Sequence, residues 1–148
     1  MASVERLISV NRANADKYHF DTDFIATSGF SSGGHLSSTM AATSGTRNAK
    51  VGSVDIDLEG SLGKHTGMSS AINAAVDWSG PIDLEHMDCG ESMKMPQSPE
   101  SVLLDCPLND DNRDKYKSPS PISYLDKNDP PIIIFHGKED NVVPFCQG

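Results

Sequence analysis

The sequence predicts a single α/β domain with a parallel sheet at its core and helices on both faces. Three observations lead there. Short apolar runs at residues 24–27, up to Trp78, and at 132–136 are bounded by Asp, Gly and Pro in the manner of buried strands. Long helical or irregular stretches separate these runs, which makes the strands parallel neighbours rather than hairpin partners. The last run, "IIIFH", is unbroken in its β-branched and aromatic residues and suits a strand buried on both faces. At 148 residues the chain is one domain's worth, enough to bury about two-thirds of the surface of its unfolded form.

The elements follow in order. Residues 2–18 place Val4, Leu7, Ile8 and Asn11 on one side and Glu5, Arg6, Arg12 and Asp16 elsewhere, a period near 3.6 that predicts a helix. The first strand follows within "DTDFIATSG". After the glycine-rich "GFSSGG", helical spacing returns with Leu36, Met40 and Thr43 facing inward, and Gly45 ends it. Residues 46–72, rich in Gly, Ser and Asp with weak periodicity, read as a long loop containing a short helical turn. The second strand stops at the Gly80-Pro81 turn. Residues 85–121 carry five prolines and read as an irregular insert with one short helix near 99–104. The third strand is 132–136.

Composition excludes several roles. The formal net charge of −9 is wrong for a sequence-independent nucleic-acid binder, which needs cations to displace counterions from phosphates, and it favours neutral or cationic ligands. No run of 18 apolar residues exists to cross a membrane. The start, "MASVERLISVNR", has charges where a signal peptide keeps its apolar stretch, so no export address is visible and the compartment is left open. Cys89, Cys106 and Cys146 form neither a disulfide framework nor a metal-ligand spacing, and no cofactor or metal is called for. They read as unpaired thiols, with Cys89 and Cys106 available to each other in an oxidising compartment.

The chemistry lies in "TSGFSSGGHL". A serine hydroxyl becomes a nucleophile when it is lifted clear of competing bonds, set against a base and placed beside oxyanion donors. G-x-S-x-G does this on a strained strand-to-helix turn. Gly29-Phe30-Ser31-Ser32-Gly33 matches in one register, because centring the motif on Ser32 requires a glycine where Phe30 stands. Chance supplies such a pentapeptide in about one chain in twenty at average glycine usage, so the flanking strand and helix are what select Ser31. The acid partner belongs past a later strand end, where open parallel sheets build their sites. Asp140 in "HGKEDNVVP" stands there, with Glu139 as its neighbour and competitor. Asp77 and Asp83 read as turn residues around Gly80-Pro81.

With these residues in view, the chain resembles the α/β-hydrolases, and within them the carbohydrate-esterase and lipase-like group that includes bacterial acetylxylan and feruloyl esterases. The resemblance is carried by "NADKYHFDTDFIATSGFSSGGHL", "AAVDWSGPIDL", "SPESVLLDCPL" and "SPISYLDKNDPPIIIFHGKEDNVVPFCQ", in that order along nearly the whole chain. It implies that Ser31 is the nucleophile, the Ser32 backbone N–H one oxyanion donor, and Asp140 the triad acid. It further implies a structural role for His35 beside the elbow and for His136 in the "HG" turn.

A complete member of that group begins with further strands and an HGG-type oxyanion loop, and ends with a strand and a G-H turn carrying the base histidine. None of His19, His35, His65, His86 or His136 follows Asp140. The resemblance therefore covers the middle of such an enzyme, and residues 1–148 are expected to form a partial α/β-hydrolase domain, truncated relative to the family. The function implied is ester hydrolysis, on acyl esters such as acetyl or feruloyl groups of plant polysaccharide. The alternatives are a non-catalytic remnant without the base, and a serine peptidase of the prolyl-oligopeptidase type. The partner expected is a small-molecule or carbohydrate ester, with no nucleic acid and no membrane. Sheet edges left unpaired predict a homodimer or larger assembly.

Overall fold

A computed structural model of the protein describes residues 2–89 and 98–148. Its helices are α1 (Ala2–Ala13), α2 (Ala15–Tyr18), α3 (Ser32–Ala42), α4 (Pro99–Leu104) and α5 (Arg113–Lys117). Its strands are β1 (Ala26–Phe30), β2 (Asn48–Val51), β3 (Val54–Asp57), β4 (Ala74–Trp78) and β5 (Ile132–Phe135). β1, β4 and β5 form a parallel sheet in the order β1-β4-β5, with Phe30, Trp78 and Phe135 in register at its carboxyl end. The parallel core is as the sequence predicts. The first strand lies a little later than expected and runs straight into the elbow.

α1 and α3 cover one face of this sheet. Ile8, Met40, Ala41, Ile72 and Ala75 form the core there, flanked by Val4, Ile25 and Ile132. Each large aliphatic side chain so buried contributes about 1.5–3 kcal/mol. α3 is made of small residues, and the burial of Ser37, Ser38, Thr39, Ala41 and Ala42 lets it sit close on β1 and β4. The helical cover expected on the second face is not found among the described residues. Ser28, Phe30, Trp78, Ile133 and Phe135 are exposed there, so β5 is an edge strand and not one buried on both faces. The reason lies in the β4–β5 connection. Its helices have only six and five residues and pack against each other, around Leu84, Met87, Leu108, Tyr116 and Val143, instead of on the sheet.

Two further expectations are corrected. The stretch read as a loop at 46–72 contains an antiparallel hairpin, β2–β3, turning at Gly52-Ser53. Gly52 has φ +57, and the Ser53 N–H and hydroxyl both donate to Asp114 Oδ2, at 2.8 and 2.9 Å. The side of α1 away from its apolar stripe, whose surroundings the sequence leaves open, is partly covered. Arg6 is buried and pairs with Glu59 at 3.1 Å, and Arg12 donates to the Ala71 and Thr22 carbonyls at 2.6 and 3.0 Å. The cysteines are not all unpaired, nor is Cys89 joined to Cys106: Cys89 is bonded to Cys146, and Cys106 is free. The insert holds α4 as expected, opened by a Ser98 side chain that accepts the Ser101 N–H, and also α5, which proline content concealed. The part of the insert at 90–97 lies outside the described residues.

Candidate active site

Ser31 stands between the last residue of β1 and the first of α3, with φ +56 and ψ −118. A serine held in that sparsely populated region costs about 1–3 kcal/mol and persists only where its surroundings over-determine it. They do so here. A Cβ on Gly29 would stand 2.2 Å from the Gly33 carbonyl carbon and oxygen, so strand and helix meet more closely than any other residue allows. Gly33 itself has open space around its Cα, so the steric need in the pentapeptide falls on Gly29. The Ser31 N–H donates to Trp78 O at 2.8 Å and its carbonyl accepts the His35 N–H at 3.0 Å, which locks the turn to β4 and to α3. Its hydroxyl makes no capping bond to the helix and no side-chain hydrogen bond among the described residues, so it is unengaged. Ser32 opens α3 and is exposed. Its N–H belongs to the first turn, where amides have no helical acceptor and the helix dipole is positive.

Beneath the elbow lies a carboxylate whose second role the sequence did not reveal. Asp77, opposite Gly29 in the register of β4, is fully buried. One oxygen accepts the Gly80 N–H at 2.7 Å, the turn role expected of it. The other accepts the Ser38 hydroxyl of α3 at 2.5 Å, which ties the elbow helix to the Ser79-Gly80 turn. Gly34 and Gly80 permit this approach, since a Cβ on Gly34 would stand 2.2 Å from Asp77 Oδ1 and one on Gly80 2.4 Å from the His35 nitrogen. His35 contributes from the same helix. A carbonyl only accepts, so its Nδ1–H donates to Pro81 O at 2.8 Å. Burial pushes the imidazole below its ordinary value, against the Pro81 bond and the Asp77 charge, which favours its neutral form.

Asp140 follows β5, in the loop that β5 delivers to the same end of the sheet. Its Oδ1 accepts the Val142 and Val143 N–H groups, both at 2.9 Å. Those two amides hold its carboxyl below the usual carboxylate range, with smaller help from the His136 charge and the Ser79 hydroxyl. Ser79, itself at φ +53, donates its N–H to Phe135 O at 2.8 Å, so the β4 turn lies between elbow and acid loop. His136 donates from Nε2 to Val143 O at 2.8 Å, and that nitrogen is 3.9 Å from Asp140 Oδ2. The structure thus brings Ser31, Ser32 and Asp140 to the same, carboxyl, end of one parallel sheet, past β1 and β5 on either side of β4, and gives His35 and His136 structural bonds. Asp83 accepts from the Glu85 and His86 N–H groups, a turn residue as expected.

The family model BD-FAE matches residues 2–148. The chain belongs to the BD-FAE family. Esterase LipQ of Mycobacterium tuberculosis is 30% identical over 147 residues, 99% of this chain and 32% of LipQ. Among solved structures, a truncated form of a carbohydrate esterase from gut microbiota is 42% identical with a TM-score of 0.93, over 99% of this chain and 51% of that one. The bifunctional GH43-CE protein of Bacteroides eggerthii is 44% identical with a TM-score of 0.92, over 99% of this chain and 20% of that one. This BD-FAE chain therefore has the fold of the α/β-hydrolase esterases and spans about a third of the length of the curated relatives it matches.

Proposed function

We propose that this BD-FAE chain carries the nucleophile, one oxyanion donor and the acid of a serine ester hydrolase acting on acyl esters of carbohydrates. The observation that carries this reading is the strained Ser31 with its unengaged hydroxyl at a strand-to-helix turn. The chemistry runs as follows. Ser31 Oγ attacks the acyl carbonyl as its proton passes to an imidazole, and the Ser32 N–H receives charge on the carbonyl oxygen. The alcohol leaves with that proton, an acyl-Ser31 ester remains, and water reverses the sequence to release the acid. Asp140, its Oδ1 fixed by two amides, orients the imidazole and stabilises its charged form. Carbohydrate esters are favoured over other acyl esters because the solved relative at 42% identity bears the name carbohydrate esterase. Acetyl and feruloyl groups are the candidates.

A second reading, binding without turnover, is favoured by a different observation. Among the described residues, no histidine hydrogen-bonds Ser31, and the protons of His35 Nδ1 and His136 Nε2 are committed to Pro81 and Val143. Loss of one triad member lowers the rate by several orders of magnitude, leaving what the oxyanion donors and binding supply. The peptidase alternative draws nothing from these esterase relatives. One experiment separates the readings: p-nitrophenyl acetate hydrolysis and fluorophosphonate labelling of wild type and Ser31→Ala, each with and without free imidazole. Turnover that depends on Ser31 supports the hydrolase, and stimulation by imidazole shows that the base alone is wanting. Equal signals from wild type and Ser31→Ala overturn it in favour of the remnant. We further infer that the exposed sheet edges join copies of this chain.

A further inference from the structure

The loop after β5 owes its place to contacts well beyond the two amides on Asp140. Those two bonds span only two and three residues, so they shape the loop without fixing it to the sheet. Val143 anchors it by packing into the cluster around Leu84 and Tyr116. The turn Phe145–Gln147 anchors it again. Gln147 is 2% exposed, and its Oε1 accepts the Ile82 and Asp83 N–H groups at 3.0 and 2.8 Å while its Nε2 donates to His86 O at 3.0 Å. Beside it, Cys146 is bonded to Cys89 across 57 residues. Besides the Ser79 hydroxyl at Asp140, the loop after β4 and the loop carrying Asp140 are therefore joined by a buried amide and by a covalent bond between two exposed half-cystines.

We propose that the Cys89–Cys146 disulfide is a positioning latch for the Asp140 loop, opened by a thiol reductant. This rests on the reading of Asp140 as the acid of the site. With the latch closed, opening of residues 136–148 is confined by a cross-link six residues past Asp140 and by the Gln147 amide next to it. With it open, the loop depends on Val143, Gln147, the Ser79 hydroxyl and local bonds, and local opening becomes easier than opening of the sheet. The exchange is balanced. A thiolate of a dithiol attacks one sulfur of the pair, and the other departs as a thiolate and takes a proton. The second thiol of the dithiol then displaces the bound cysteine, which leaves Cys89 and Cys146 reduced and the dithiol as its cyclic disulfide. Exposure of both cysteines gives the reductant access.

The test is amide hydrogen exchange on the oxidised protein, on protein reduced by dithiothreitol, and on protein re-oxidised afterwards, with thiols counted at each stage. One thiol is expected before reduction and three after, from the three cysteines of the chain. Amides at 140–147 are expected to exchange at least tenfold faster when reduced, with those of β1, β4 and α3 unchanged and the oxidised rates recovered on re-oxidation. The Val142 and Val143 amide resonances should follow a carboxyl titration that moves upward on reduction, as their bonds to Asp140 loosen. Gln147→Ala should loosen the same segment without reductant. Unchanged exchange at 140–147 in protein with three free thiols overturns the proposal, as does equal acceleration throughout the sheet, or three thiols before reduction. Ester hydrolysis measured in parallel separates the two ideas, because exchange reports the latch even in a chain that turns over nothing.

Discussion

Gly29 is the residue on which the elbow depends most directly. A methyl group there would lie 2.2 Å from the backbone of Gly33, and backbone cannot rotate away as a side chain does. Gly29→Ala is expected to cost about 1–3 kcal/mol in unfolding free energy, the range for overpacking a tight contact, and to abolish fluorophosphonate labelling of Ser31. Retention of labelling would show that the contact is soft. Gly33→Ala, with open space around its Cα, is the matched control and should be the milder change. His35 makes a second test at this scale, through pH. Its folded-state pKa is lowered, so as pH falls below the ordinary histidine range the unfolded chain takes up the proton first and wild type loses stability. His35→Asn has nothing to protonate there. The difference in melting temperature between the two should therefore shift against wild type as pH drops from 7 to 5, and a constant difference would refute the assignment.

Among the elements, α1 is the one whose sequence pattern says least about its use. Val4 and Ile8 mark its core side correctly, yet Glu5 and Arg6 on its polar side are also buried, because the chain at 58–70 wraps over them and offers carbonyls and Glu59 as partners. Periodicity registers the nearest packing surface, and an overlying loop leaves no periodic trace. Glu5 bears a cost for this: one carboxylate oxygen has no partner among the described residues, and burial pushes its pKa up. A raised folded-state pKa means stability that is present at low pH and lost as pH rises through that value. Glu5→Gln is expected to raise the melting temperature at pH 7 and to lose the advantage near pH 4, measurable by calorimetry at both pH values. The rest of the fold divides along the same physical line. β4, β5, α3 and α4 were legible because each has a local signature: a halted apolar run, helical spacing past a glycine turn, or a Ser-Pro start. The β2–β3 hairpin had a signature too, Gly52-Ser53 between Val51 and Val54, but its alternation with Lys50, Asp55 and Asp57 was too weak to stand out from a loop. The register of G-x-S-x-G between a strand and a helix points to Ser31, and chain order points to Asp140. What chain order did not give was Asp77 under the elbow and Cys146 bonded to Cys89, both pairings across more than 35 residues.

For the whole molecule, what the helices leave bare matters as much as what they cover. Among the described residues β1 and β5 each have one paired edge, and the face away from α3 presents Phe30 at 73% exposure, Ile133 at 55% and Phe135 at 47%. Unpaired strand edges beside an apolar face are a template for another strand, and water is expelled when a second such face meets the first. The charge of −9 works in the opposite direction, holding copies apart at low ionic strength and less so as salt screens it. Association through the sheet should therefore strengthen with salt. Trp78, the one tryptophan, lies on that face stacked on Phe135 with ring centroids 4.3 Å apart, and reports on its burial. Sedimentation at rising protein concentration in low and high salt is expected to show a monomer passing to a dimer or larger species, earlier in high salt, with Trp78 emission moving to the blue as it does. Ile133→Lys puts a charge on the open face, away from the elbow, and should hold the protein monomeric without altering Ser31. A monomer at every concentration and salt, with unchanging Trp78 emission, would show that the bare face does not join copies of this chain.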